Sequence, residues 1–204
     1  NAQAYDWAMP VANTLVADAA NWVQALADIA AAVGAITGAA APVAGNANSA
    51  EAQAIAKSLT GGERKAILLG NAAAHHAKAS SLLSLANWIG AQTGATVGYL
   101  GEAANTVGAQ VVGALPKAGG QNAGQMLAGG LKALVLLNTE PAFDAANGAA
   151  AAQAIGQAEM VVTLSPFKAN MDISDVLLPI SPFTETAGTF INTEGRAQSF
   201  HGVV

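Results

Sequence analysis

The chain has 204 residues, a net charge of −5, 52% hydrophobic residues and only 10% charged ones. That length fits one or two small domains with a substantial buried core. Its eight scattered Lys and Arg exclude the basic stripe that nucleic acid requires, and the absence of cysteine excludes disulfides, thiolate catalysis and any Cys-held cluster or zinc site within these residues.

Alanine and glycine supply much of the apolar content, which favours close packing of elements. No basic region precedes a hydrophobic segment, so no signal peptide is visible. Residues 23–43 form the longest nearly uncharged stretch, but Gln24, Asp28 and Pro42 interrupt it. It reads as a helix and loop with no direct membrane insertion. The start at Asn1-Ala2, without an initiator Met, suggests a piece excised from a longer chain.

Residues 3–33 carry Trp7, Val11, Leu15, Val16, Trp22, Val23, Leu26 and Ile29 at roughly helical spacing, with a break expected at Pro10. Residues 34–48 read as a flexible linker. Ser49 is a plausible N-cap for a helix through Leu59, which Gly61-Gly62 would end. Residues 65–70 then form a short apolar run of the buried parallel-strand type. A long helical pattern follows, with Leu82, Leu83, Leu85, Trp88 and Ile89 on its apolar side. Residues 94–98 and 132–138 read as the second and third strands. Pro141 opens a helix running to about Gln157. Residues 159–164 and 175–178 read as the fourth and fifth strands.

Alternation of strand and helix implies an α/β fold: a doubly wound, mostly parallel sheet with helices on both faces, preceded by a helical segment. The expected division is a helical segment and linker over 1–60 and a Rossmann-like domain over 61–204. Trp7 or Trp22 is expected to anchor the N-terminal helix onto the sheet domain.

Ligands of open parallel sheets bind beyond the carboxyl ends of the strands. Here those ends fall at Gly70-Asn71, at Tyr99 to Glu102, at Asn138-Thr139-Glu140 and at Ser165-Pro166-Phe167. Gly and Asn also serve there simply as turns and caps. After the first strand comes one glycine, not the three of a pyrophosphate loop, and no Walker loop exists. His75-His76 are neighbours pointing about 100° apart on a helix, which suits a solvent- or partner-facing pair better than a metal site. Ser80, Ser81 and Ser84 have no acid–base partner pattern.

The tail from residue 172 to 198 is the most distinctive stretch. It runs through Asp175-Val-Leu-Leu-Pro179, a proline-bounded turn to Pro182, Glu185, and the polar loop Gly188-Thr-Phe-Ile-Asn192-Thr-Glu-Gly-Arg196. Gly188 and Gly195 are expected to supply turn conformations. Thr189, Asn192 and Thr193 are expected to satisfy turn amides. Arg196 is expected to pair with Glu185 or Glu194, or with a carboxylate from elsewhere, and so to pin the loop.

This run resembles the molybdopterin-oxidoreductase superfamily. Together with Glu63-Arg-Lys-Ala-Ile-Leu-Leu-Gly-Asn71, Thr93-Gly-Ala95, Glu102-Ala-Ala-Asn105, Ser165-Pro-Phe-Lys168 and the tail to Val204, it is similar to the G chains of bacterial NADH–quinone oxidoreductase (complex I). The resemblance covers residues 57–204 and is weak before them. It implies the C-terminal region of a large peripheral-arm subunit on the cytoplasmic side of the bacterial inner membrane. The partners would be other subunits of that arm, and the iron–sulfur clusters would lie elsewhere in the subunit. No cofactor is expected within this piece, and no catalytic residue carries over. The candidates for a structural rim are Asn71, Glu102, Asn105, Glu185, Thr189, Asn192, Glu194 and Arg196. Two other roles remain open: part of a molybdopterin-dependent enzyme such as a formate dehydrogenase, or a generic small-molecule binding module.

Overall fold

A computed structural model describes residues 1–203; Val204, the last residue of the tail run, lies outside them. The chain divides into two compact units, Asn1–Ala103 and Ala104–Val204.

In the first unit, a 3₁₀ turn at Ala19–Asn21 leads into α1 (Trp22–Thr37). Then come α2 (Ala50–Gly61), β1 (Ala66–Leu69), α3 (Asn71–Ala74), α4 (Ala79–Thr93) and β2 (Thr96–Tyr99). The helix expected over 3–33 therefore exists only in its second half. Pro10 lacks an N–H and pushes Met9 away from helical dihedrals, and nothing upstream of Trp22 buries the apolar stripe. At its other end α1 passes through the expected linker start. Gly34 is part of this helix, and its bare Cα admits the Ala39 carbonyl, which a Cβ would meet at 2.5 Å. The stop falls at Gly38, with φ 79° and its N–H donated to the Gly34 carbonyl.

Ser49 caps α2 as its sequence suggests, with Oγ accepting the Ala52 N–H at 3.3 Å. α1 and α2, expected as a segment of their own, pack with α4 inside this unit. Ala30, Ala32 and Val33 of α1 meet Ala52 and Ala56 of α2 and Leu85 and Ile89 of α4. The four alanines of that cluster let the helix backbones approach closely. The Ala19–Thr37 stretch is long and apolar enough to cross a membrane by length and composition, but here its small residues form this core. Gly90 serves similarly on α4: a Cβ there would meet Val97 Cγ2 at 2.6 Å, so the missing side chain lets the helix press on β2. β1 and β2 pair in parallel from Ala66↔Thr96 to Leu69↔Tyr99. Trp22 anchors the N-terminal side, its Nε1–H bonded to the Ala17 carbonyl at 2.8 Å and its ring stacked on His76. Trp7 is exposed and meets Tyr5 edge-on.

The second unit contains α5 (Thr106–Val111), α6 (Ala123–Met126), β3 (Ala133–Leu137), α7 (Pro141–Asp144), α8 (Gly148–Gly156), β4 (Met160–Ser165) and β5 (Val176–Pro179). A 3₁₀ turn at Phe183–Glu185 precedes β6 (Gly188–Ile191) and β7 (Ala197–Phe200). β3, β4 and β5 form one parallel sheet in that order. Leu134, Leu136 and Val161 pack with Ile155 of α8, while Val135 and Leu137 alternate with them and are exposed.

The fold class is α/β, with parallel sheets flanked by helices and a helical N-terminal segment. All five expected parallel strands are present, shared between a two-stranded and a three-stranded sheet instead of joined in one. The connection between β2 and β3 is rich in glycine and carries only the short α5 and α6. The helix expected from Pro141 to Gln157 is broken. Ala145 adopts an extended conformation, and Asn147 restarts the helix by accepting the Ala150 N–H at 3.0 Å. The polar loop expected over 188–196 is instead the antiparallel hairpin β6–β7.

Leu82 on α4 is 1% exposed. Leu82→Ala is expected to cost about 2–5 kcal/mol in urea unfolding. Ser84→Ala, exposed on the same helix, should stay within about 0.5 kcal/mol of the parent.

Candidate functional site

The candidate residues fall at two sheet rims, at the start of α5, in the 3₁₀ turn before β6 and in the tail hairpin. At the rim of the first unit, Leu100 N–H donates to the Leu69 carbonyl at 2.8 Å, so the chains leaving β1 and β2 stay together. Asn71 opens α3 there, exposed, with its carbonyl accepting the His75 N–H at 2.9 Å. His75 Nε2 lies 3.5 Å from a carboxylate oxygen of Glu102, both side chains being largely exposed. The fold thus brings Asn71 and Glu102 to one rim and adds His75.

His76 turns elsewhere, as neighbouring positions require. Its Nδ1 accepts the Lys78 N–H at 2.9 Å, so Nε2, 2.9 Å from the Ala19 carbonyl, carries the proton. The ring ties α1's start to the β1–α4 connection. Among the described residues no group of three His, Asp or Glu side chains could hold a metal. Beside this rim lies an apolar cleft of about 320 Å³, walled by Leu15, Trp22, Leu26, Ile29, Leu68 and Leu82.

At the rim of the second unit, the chain leaves β3 through Asn138, at φ 48°. One Asp144 carboxylate oxygen then accepts both the Glu140 N–H at 2.7 Å and the Thr139 hydroxyl at 3.1 Å. Pro141 has no N–H to offer, and the Phe143 and Asp144 N–H groups return to the Glu140 carbonyl. Beyond β4, Ser165 Oγ accepts the Phe167 N–H at 3.1 Å. Asn170, at φ 61°, donates its side-chain amide to the Thr139 carbonyl at 2.8 Å, and so ties the β4–β5 connection to the β3 rim. Both positive-φ positions are asparagine, the non-glycine residue type that enters the left-handed region most readily. The charged groups next to these strand ends are Glu140, Asp144 and the exposed Lys168.

The tail candidates build one hairpin. Asn192 Oδ1 accepts the N–H groups of Glu194 at 3.1 Å and Arg196 at 3.0 Å. Gly195, at φ 81°, donates its N–H to the Asn192 carbonyl at 2.9 Å, and the Asn192 N–H closes the turn on the Arg196 carbonyl. Thr189 does not serve the turn; its hydroxyl pairs across the strands with Ser199 at 2.9 Å. Gly188 is strand, not turn, and lies under the Phe200 ring, which leaves no room for a Cβ. Phe190 meets the same ring edge-on. Asn105 does not cap its own helix. Its Oδ1 accepts the Ile191 N–H at 2.9 Å, binding α5 to β6. Its side chain lies over Gly108, where any Cβ would overlap it.

Of the partners expected for Arg196, the two within this chain are not engaged, and a carboxylate from elsewhere would lie outside it. Among the described residues Arg196 forms no ion pair with Glu185 or Glu194. All three side chains are exposed, and the neutral Asn192 already satisfies the turn amides that charge would have served. Glu185 ends its 3₁₀ turn, with its N–H bonded to the Pro182 carbonyl at 3.0 Å. Sequence reasoning missed Asp144 and Asn170. The one local signal was Thr139-Glu140-Pro141 followed by Asp144, a proline helix start with a carboxylate one turn on.

The family model for molybdopterin oxidoreductases matches residues 52–204, most of the chain. No curated protein matches it.

Asn105→Ala is expected to leave the half-buried Ile191 N–H unpaired, at a cost of about 1–3 kcal/mol. Faster hydrogen exchange at Ile191 would report it. Arg196→Ala should change stability by no more than about 0.5 kcal/mol, measured by thermal unfolding.

Proposed function

The chain belongs to the molybdopterin oxidoreductase family, and on that premise we propose that it acts as a cofactor-free structural and assembly domain of an oxidoreductase. The finer assignment we propose is the large iron–sulfur subunit of an NADH–quinone oxidoreductase, in the peripheral arm at the cytoplasmic face of the bacterial inner membrane. There it supports electron transfer from NADH to quinone and is held by neighbouring subunits of the arm. The tail run Glu185-Thr-Ala-Gly-Thr-Phe190 and the run Glu102-Ala-Ala-Asn105 support this choice, because these are the specific parts of the resemblance. Their side chains serve backbone and strand pairing: Asn105 holds β6, and Thr189 holds β7.

The observation that carries the cofactor-free reading is the Asp144 carboxylate at the second rim. A pterin dinucleotide brings two phosphates, which need backbone N–H donors at a helix start or a set of cations. Here Asp144 takes the Glu140 N–H, Pro141 removes another donor, and Glu140 adds a second negative charge. The first rim offers Glu102 with His75. Lys168 is the one ammonium immediately beyond a strand end. Carboxylates in these places repel phosphate, so the residues present do not fit the group.

The family match alone equally accommodates a molybdopterin-dependent enzyme such as a formate dehydrogenase. Metal and pterin analysis of the full-length protein, purified with its partners, separates the two. Molybdenum, tungsten and oxidised-pterin fluorescence are expected well below one per chain. One molybdenum or tungsten and one pterin per chain would overturn the cofactor-free reading.

A further inference from the structure

β3, β4 and β5 are neighbours in one parallel sheet, so their carboxyl ends point the same way and lie about 5 Å apart. The chain leaving each of these ends carries a phenylalanine that is almost wholly in water. Phe143 follows β3 and is 84% exposed, Phe167 follows β4 and is 70% exposed, and Phe183 follows β5 and is 73% exposed. A single exposed phenylalanine is ordinary, but one after each of three adjacent strands gives a single rim an aromatic character. Within three residues of these phenylalanines along the chain, the charged residues are Glu140, Asp144 and Glu185 against Lys168.

We propose that this rim is a docking surface for a protein partner whose apolar pockets are bordered by Lys and Arg. The inference rests on the cofactor-free reading of the same rim. Aromatic anchors at the centre with charges at the margin are the usual anatomy of a protein interface. The charge selects the kind of occupant. A second copy of this chain, itself at −5, would set carboxylates against carboxylates. An anionic bilayer surface would be repelled in the same way. A basic protein surface pairs with Glu140 and Glu185 while the three rings fill its pockets.

Placing the photoreactive residue p-benzoylphenylalanine at 143, 167 or 183 of the full-length protein, in its native host, tests the occupant. Irradiation is expected to join all three positions to one other protein, at sites flanked by Lys or Arg. Attachment to lipid, attachment to a second copy of this chain, or no attachment overturns the proposal. In vitro, the probe is a short amphipathic helix of leucine and lysine, compared with its leucine–glutamate counterpart. The lysine peptide should bind and the glutamate peptide should not. The triple variant Phe143→Ser, Phe167→Ser and Phe183→Ser keeps the net charge and should keep the melting temperature, because all three rings are exposed. Its affinity for the lysine peptide should fall roughly tenfold or more; unchanged affinity contradicts an aromatic docking rim. Metal and pterin content of the same preparation separates the two readings. Stoichiometric pterin defeats the cofactor-free reading, whereas no pterin together with no crosslink defeats the docking surface alone.

Discussion

A helix start leaves backbone N–H groups without partners, and whatever satisfies them decides whether a sheet rim can hold an anion. In this chain the Glu140, Phe143 and Asp144 N–H donors at the β3 rim are satisfied from within. Asp144 folds back onto Glu140 and Thr139, and Pro141 removes one donor altogether. Elsewhere the same task falls to neutral groups: Ser49 at α2, Asn122 with Gln125 at α6, and Asn147 at α8. The position at which parallel sheets commonly hold ligands is thus occupied by the chain's own carboxylate.

Packing supports it in two different ways. In the first unit the core is made of small residues, so stability comes from close helix approach more than from large buried side chains. Ala30, Ala52, Ala56 and Ala86 are fully buried, while Leu82 and Val33 are the large side chains that reach full burial. In the second unit the sheet buries Leu134, Leu136 and Val161 against α8 and leaves Val135 and Leu137 in water. Purely parallel strands are ordinarily covered on both faces. An apolar outer face and an aromatic rim together suit a domain that works inside a larger assembly.

The strands were legible because each is a short, continuous apolar run bounded by Gly, Asn or a charged residue, as in Ala133-Leu-Val-Leu-Leu137. Ser49 was legible because N-capping is decided locally. The helix over 3–18 was not, because apolar spacing fixes a helix only when something buries the stripe. The hairpin was hidden by its polar composition: Thr189, Gln198 and Ser199 stand in exposed strands held by pairing and by the Phe190–Phe200 contact. At the site, the general rule for strand ends found Asn71 and Glu102. It could not show that Asn105 reaches Ile191, far along the chain, or that Asn192 would fasten the turn through the Glu194 and Arg196 N–H groups. Those partners are set by tertiary geometry, which one-dimensional spacing does not encode.

The central claim is that the Asp144 carboxylate closes the β3 rim to phosphate. Titration of the protein with pyrophosphate, followed by the amide NMR signals of Thr139 and Glu140, tests it most directly. In the parent protein these signals should show no saturable shift, whereas Asp144→Ala should acquire one. A saturable shift of the Glu140 amide in the parent protein would contradict the account.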